Sequence, residues 1–128
     1  MKIDRKFLLC SLAYAVFGMG VGIYMAVSKD HVELVAHAHI LLVGFVVSFI
    51  YSLMHKLWIS PGIRSLANVQ FYLHQFSALI MSTGLLLFYG GLFREALDPV
   101  LAVSSLGVLG GALLMIYLVI RFPAESRT

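Results

Sequence analysis

Four long apolar blocks constrain the fold of this chain more than any other feature of its sequence. A helix needs about 20 predominantly apolar residues to cross about 30 Å of hydrocarbon, and the blocks lie near residues 7–27, 34–54, 71–93 and 100–120. Backbone polar groups in a bilayer must be paired within their own segment, which an α-helix achieves. The sequence therefore predicts an all-α membrane protein of four transmembrane helices, forming a single domain over residues 1–128.

The composition agrees with a lipid bilayer as the main solvent of the chain. Apolar residues make up 61% of the sequence and charged residues 12%, whereas charged residues are about a quarter of an average soluble domain. The basic residues lie at the ends of the blocks, so the net charge of +3 indicates no nucleic-acid partner. The first block is too long for a signal peptide and lacks a small-residue cleavage site, so we expect a retained helix.

Basic residues are distributed unequally between the two ends of the predicted helices. Cytoplasmic loops of membrane proteins carry an excess of Lys and Arg. Lys29 and Arg94 fall at one end, and seven basic residues fall at the other: Lys2, Arg5, Lys6, Lys56, Arg64, Arg121 and Arg127. This asymmetry predicts that both termini are cytoplasmic.

Histidines inside a predicted membrane span are the candidate functional residues. A polar side chain is costly in hydrocarbon, so one that occurs there usually faces inward, is paired, or binds a metal. His37 and His39 lie near the start of the second block. The alternative is that both rings bind water or carbonyl groups near the membrane surface and have no further role.

The spacing of the two histidines restricts what they can bind. Two residues along an α-helix correspond to a rotation of about 200°, so His37 and His39 point to opposite sides. Neighbouring side chains on one helix face are three or four residues apart. If both histidines are ligands, they serve two different sites, and one of these sites would face lipid in a monomer.

The residues around the pair resemble a known family. His37-Ala38-His39 is followed by Gly44, five residues after the second histidine, and later by Phe49, Tyr51, Leu53 and Leu57-Trp58; the next block contains His74-Gln75-Phe76 and then Thr83-Gly84-Leu85 and Tyr89. These runs resemble the tenth and eleventh helices of the catalytic subunit of heme-copper oxidases, most of all the C-type enzymes. The resemblance covers residues 37–90.

The resemblance implies a role for each histidine of the pair. In that family the first histidine binds the iron of the high-spin heme, and the second binds the low-spin heme on the other side of the helix. By resemblance, His37 and His39 are then axial ligands of heme iron. The chain lacks the further histidines and the cross-linked tyrosine of the family's copper site, so we expect no copper site of that type and no oxygen reduction.

The family's subunit also suggests an assembly, because its twelve helices form three quasi-equivalent arcs of four, and this chain has the length of one arc. We expect a homotrimer that forms a 12-helix ring, in which His37 of one protomer faces His39 of its neighbour. The chain has no C-x-x-C-H motif, which predicts non-covalent heme b. The leading hypothesis is a b-type cytochrome of the bacterial inner membrane that transfers electrons with an unknown redox partner.

Other polar residues are secondary candidates. Arg94 and His31 lie at the end of the spans where heme propionates would emerge, and an arginine suits a carboxylate; the alternatives are an interface anchor and a solvated ring. His55 lies about 27 Å along the helix from His37 and cannot share its heme. His74 has either a packing role or a role in proton relay.

Two functions of other classes remain open. One is a heme or gas (O2 or NO) sensor, or a heme-handling membrane protein, with one axial position open or labile. The other is a structural or metal-binding subunit of a larger membrane complex.

Overall fold

The computed structural model of the protein describes residues 1–125. This part of the chain contains no strand and forms four long helices, numbered α1 (Ile3–Ser28), α2 (Leu34–Leu57), α3 (Arg64–Tyr89) and α4 (Arg94–Arg121). Each helix is long and apolar enough to cross a membrane. The predicted all-α architecture with four spans is therefore confirmed, while Arg127, one of the seven basic residues, lies outside the described residues.

The helix bounds differ from the apolar blocks, because several helices extend beyond their blocks and α3 ends at Tyr89 rather than near residue 93. α3 begins at Arg64 rather than near residue 71, and α4 begins at Arg94 rather than near residue 100. Pro99 consequently lies inside α4 instead of at its start. The charged residues between 94 and 98 belong to the first turns of α4, where four amide groups have no helical partner and polar side chains are readily accommodated.

Helix α2 is not uniformly α-helical. Its first part, Leu34–His39, and its last part, Val47–Leu57, are α-helical, and Ile40–Val46 between them is a π-helix with five-residue hydrogen-bond spacing. π-Helical insertions are rare and occur frequently at functional sites. Here the insertion begins directly after His39.

Glycines bring α1 and α2 close together within the chain. A Cβ atom at Gly18 would lie 2.6 Å from the Leu41 side chain, and one at Gly22 would lie 2.9 Å from Cε1 of His37. Gly44 on α2 likewise leaves room for Tyr14 of α1. Small residues permit such backbone approach in membranes, and the Gly18–Gly22 face is thereby occupied by the protein's own α2.

Helix α3 is central, because it contacts α1 and α2 on one side and α4 on the other. Gly107 of α4 lies against Ser77, and Gly84 of α3 lies against Leu101, where an added Cβ would come within 2.9 Å. Gly111 packs against His74. Gly107 and Gly111 of α4 therefore both contact a helix of the same chain.

The end of the bundle that carries the termini has an aromatic and aliphatic core. Phe7 is fully buried there and packs with five other buried side chains: Tyr51, Ile59, Phe71, Met115 and Leu118. Two backbone hydrogen bonds join the α2–α3 loop to the segment after α4, from Ser60 N–H to the Phe122 carbonyl at 2.8 Å and from Ala124 N–H to the Trp58 carbonyl at 3.0 Å. We call the opposite end, which holds loops 29–33 and 90–93, the distal end.

Candidate functional site

The imidazole of His37 is held by α1. Its Nδ1 atom lies 2.8 Å from the carbonyl oxygen of Gly18, and its ring lies against Gly22, which has no side chain to displace it. A carbonyl oxygen only accepts hydrogen bonds, so Nδ1 of His37 carries the proton. The ring is half-buried.

The imidazole of His39 is held by its own helix. Its Nδ1 atom lies 2.8 Å from the carbonyl oxygen of Val35, one turn earlier in α2. The same reasoning places the proton of the neutral ring on Nδ1. His39 is half-buried as well, but no residue of a second helix fixes its ring through this hydrogen bond.

Both histidines thus have the same tautomer, and this determines their chemistry. With the proton on Nδ1, the Nε2 atom of each neutral imidazole carries a lone pair that can bind a metal ion. Metal-ligating histidines almost always donate their other ring N–H to a carbonyl, carboxylate or water, which fixes the ring and raises its basicity. Gly18 and Val35 supply such acceptors for His37 and His39.

The two rings occupy opposite flanks of α2. Ala36 and Ile40 are completely buried and form the stripe of α2 that faces the bundle. His37 and His39 lie on either side of this stripe, since they are separated by about 200° around the α-helical segment. If both rings bind a metal, their two Nε2 atoms therefore belong to different sites.

The set of possible metal ligands is sparse. Residues 1–125 contain no cluster of three or more His, Cys, Asp or Glu side chains that could hold a metal ion. A protein-only ligand shell for zinc or copper needs about three or four such donors. A heme needs only axial ligands from the protein, because its macrocycle supplies the four in-plane nitrogens, so the donor set fits a heme better than a bare metal ion.

The two predicted propionate partners are exposed at the distal end. Arg94 donates a hydrogen bond from Nε to the carbonyl of Phe88 at 3.1 Å, and its guanidinium lies 5.5 Å from the centre of the Phe88 ring. His31 is exposed in the loop before α2, where its carbonyl accepts the N–H of Leu34. None of these contacts joins Arg94 or His31 to His37 or His39, so their role at a heme stays a prediction.

Buried and half-buried polar side chains form two hydrogen-bonded groups in the helix core. We call them together the core polar seam, which comprises Ser48, His55, Gln70, His74 and Gln75. His55 donates from Nε2 to Oε1 of Gln70 at 3.2 Å, and Gln70 donates to the carbonyl of Gly111 at 3.3 Å. Gln75 donates to the hydroxyl of Ser48 at 3.1 Å. His55 thus lies away from His37, as expected from its position in the sequence.

His74 belongs to the second group of the core polar seam, with Ser48 and Gln75. It is fully buried, and its Nε2 atom lies 3.2 Å from the carbonyl of Val43 and 3.1 Å from the hydroxyl of Ser48. Its Nδ1 atom is buried without a hydrogen-bond partner among the described residues. Sequence reasoning singled out His74 but missed Gln70, although the four-residue spacing places both on one helix face.

The acceptor that His74 uses arises from the π-helix. The five-residue spacing ends with the bond from Val47 N–H to the Leu42 carbonyl. Where the helix returns to four-residue spacing, one carbonyl group receives no N–H from the helix backbone. This carbonyl belongs to Val43, the residue after Leu42. The imidazole N–H of His74 satisfies this buried carbonyl, which would otherwise be costly.

Glu33 is a second residue that sequence reasoning missed. It lies directly before α2, and its Oε2 atom is buried without a hydrogen-bond partner among residues 1–125. Burial, and to a lesser extent the nearby charge of Asp30, raises the pKa of the Glu33 carboxyl. No sequence pattern distinguishes Glu33 from the other acidic residues of the loops.

Comparison with known proteins adds no relative. No family model, no curated protein and no solved structure matches the chain.

Proposed function

We propose that the protein is a membrane b-type cytochrome, a homotrimer that binds heme b between protomers through His37 and His39. The observation that carries this proposal is the shared tautomer of the two rings: each donates Nδ1–H to a backbone carbonyl and retains a lone pair on Nε2. This is the form in which histidine ligates iron. The bis-histidine hypothesis from the sequence motif is consistent with this arrangement.

His37 acts as the rigid ligand of the proposed site. Its ring is fixed by the Gly18 carbonyl and by contact with Gly22, so two elements of the fold determine the direction of its Nε2 atom. A ligand that is held before binding loses little conformational freedom when it binds. The α1 glycines thus position the ligand without touching the metal.

His39 supplies the second axial ligand from the opposite flank of α2. Because the two rings point about 200° apart, His39 ligates the iron bound to His37 of a neighbouring chain. A ring of three protomers pairs every His37 with a His39 and leaves no ligand facing lipid. When bound, heme b supplies a one-electron iron couple, and electron transfer is the function that we propose for it.

Arg94 is the proposed partner of a heme propionate. It lies at the distal end, and its Nε–H already binds the Phe88 carbonyl, which directs the remaining guanidinium N–H groups away from that carbonyl. An arginine held in this way suits bidentate recognition of a carboxylate. His31 is exposed at the same end and is the second candidate for this role.

The proposal is tested by absorption spectroscopy of the detergent-purified protein in the oxidised and dithionite-reduced forms. We expect a low-spin b-type spectrum, with sharp bands in the reduced form that do not change when carbon monoxide is added. Colourless protein, even after heme is supplied during expression, would contradict the proposal and favour a structural subunit of a larger complex.

One observation favours a second candidate function. The ring of His39 is anchored only to its own helix, whereas that of His37 is anchored to α1. If His39 is the weaker ligand, the iron has a displaceable axial position, as a gas sensor or heme-handling protein requires. A reduced spectrum that shifts fully on addition of carbon monoxide would support this function over that of an electron carrier.

A further inference from the structure

An apolar groove opens towards the distal end. It has a volume of about 510 Å³ and is lined mainly by residues of α1, including Phe17 and Tyr24, together with Glu33 and with Leu86 of α3. Small-molecule sites typically occupy about 300–1,000 Å³ and combine an apolar lining with few polar groups. Gly20 forms part of the lining, and a Cβ there would have no neighbour within 4 Å, so the groove is open at this point.

Glu33 is the polar group of this groove. Its Oε2 atom is buried and has no donor among the described residues, and its Oε1 atom approaches Gly90 closely enough to lie 3.5 Å from a Cβ placed there. The carbonyl groups at the carboxyl end of α3 give this region a negative partial charge. A buried acceptor in such surroundings is stabilised by a ligand that donates a hydrogen bond.

We propose that the groove binds the hydroquinone head group of a membrane quinol, whose hydroxyl group donates to the Glu33 carboxylate. A quinol combines a flat apolar ring with hydroxyl donors and is dissolved in the bilayer, from which the groove is reached. The aromatic side chains of Phe17 and Tyr24 suit contact with such a ring. This binding does not depend on the proposed cytochrome function.

Other donors fit the groove less well. A phosphatidylethanolamine ammonium group also donates hydrogen bonds, but it brings a phosphate anion next to the Glu33 carboxylate, which is unfavourable. A lysine or arginine of a second copy would pair with Glu33 but would leave the apolar lining unfilled. The quinol satisfies both the carboxylate and the apolar surface.

The proposal is tested by saturation binding of radiolabelled decyl-benzoquinol to the protein in nanodiscs, with empty nanodiscs as background and dithionite to keep the ligand reduced. We expect saturable binding that is about tenfold weaker in Glu33→Gln, since a hydrogen bond to a charged carboxylate is replaced by a weaker one to a neutral amide. Gly20→Leu should weaken binding at least as much by filling the groove. Glu95→Gln and Ala102→Leu, which change exposed residues that do not line the groove, should bind as the unmodified protein does.

The ligand provides its own control. The dimethyl ether of the same quinol has the ring but no hydroxyl donor, and it should compete at least tenfold less well, while phosphatidylethanolamine in the nanodisc should not compete. Equal competition by the ether, unchanged binding in both groove variants, or dissociation of the oligomer in Glu33→Gln would overturn the proposal. The absorption spectrum of the same samples separates the two hypotheses: colourless protein that binds quinol contradicts the cytochrome alone, and heme-loaded protein that does not bind contradicts the groove alone.

Discussion

Two residues of α1 that carry no side chain determine where the imidazole of His37 lies. Gly18 provides the carbonyl that receives the Nδ1 proton, and Gly22 provides the space beside the ring. His39 receives the same tautomer from a different source, the carbonyl of Val35 in its own helix. The two rings therefore have equal ligand chemistry but unequal rigidity.

Replacement of either histidine tests the proposed ligation of heme iron. His37→Ala and His39→Ala should each remove the low-spin bis-histidine spectrum, because each deletes one of two axial ligands. His55→Gln is the control, since it changes a histidine that bonds to Gln70 in the core and lies far from the pair. Absorption spectra of the three purified variants provide the measurement, and an unaltered spectrum in either alanine variant removes that residue from the ligand set.

Substitutions in α1 test whether the position of the His37 ring matters for heme binding while His37 itself is unchanged. Gly22→Val should shift the ring, because even a Cβ at this position lies 2.9 Å from Cε1, and heme should be bound at least tenfold more weakly. Gly20→Val adds the same atoms two residues earlier, where a Cβ meets nothing within 4 Å. Heme titration of both apo-proteins gives the comparison, and equal affinities would mean that α1 does not position the ligand.

At the scale of helices, α2 combines a π-helical segment with the buried imidazole that satisfies it. The π-helix Ile40–Val46 lies between the histidine pair and the half of α2 that we predict to be nearer the cytoplasm. It adds one residue to the helix at this point. The Val43 carbonyl that it frees accepts a hydrogen bond from His74 of α3. The irregular part of α2 is thus supported by α3, which contacts it directly.

A variant of His74 tests this support. His74→Leu should lower the free energy of unfolding by about 1–3 kcal/mol, the cost of leaving a buried hydrogen-bonding group unsatisfied. Amide hydrogen exchange should accelerate within residues 40–46. Phe76→Leu is the control, because Phe76 lies two residues away on α3 and is 60% exposed; equal stability of both variants would show that the bond to Val43 contributes nothing.

The sequence predicted the number and type of helices because about 20 apolar residues leave few alternatives in a membrane. It did not reveal that α4 starts at Arg94, since the charged residues before Pro99 lower the local hydropathy although they are helical. The π-helix was not predicted because an inserted residue leaves no compositional mark. The histidine spacing predicted opposite flanks, whereas the acceptors of the two Nδ1 protons depend on contacts that only folding creates.

For the whole molecule, the unequal distribution of basic residues predicts an orientation in the membrane with both termini in the cytoplasm. Reporter fusions placed after residues near 60 and 128 should both report a cytoplasmic location, and one near 30 should report an external location. This orientation is expected because seven lysines and arginines are assigned from the sequence to the end that carries the termini, and two to the distal end. A carboxyl-terminal reporter that reads external would contradict this topology.

The proposed trimer joins heme binding to assembly. Iron ligated by two chains acts as a cross-link, and a ligand that binds only the assembled state stabilises that state. Ligation between protomers can be distinguished from ligation within one chain by two variants. His37→Ala protomers retain His39, and His39→Ala protomers retain His37. Neither variant alone can provide both ligands at any interface.

Coexpression of these two variants tests most directly whether His37 and His39 of different protomers ligate the same iron. A closed ring that contains both kinds of chain has one interface with an intact His37 against an intact His39, and random mixing of equal amounts makes about three quarters of the trimers mixed. We therefore predict recovery of about a quarter of the normal heme content, measured by the pyridine hemochrome assay on the purified oligomer. No recovery of heme although mixed oligomers form, or a heme-loaded monomer by native mass spectrometry, would contradict ligation between protomers.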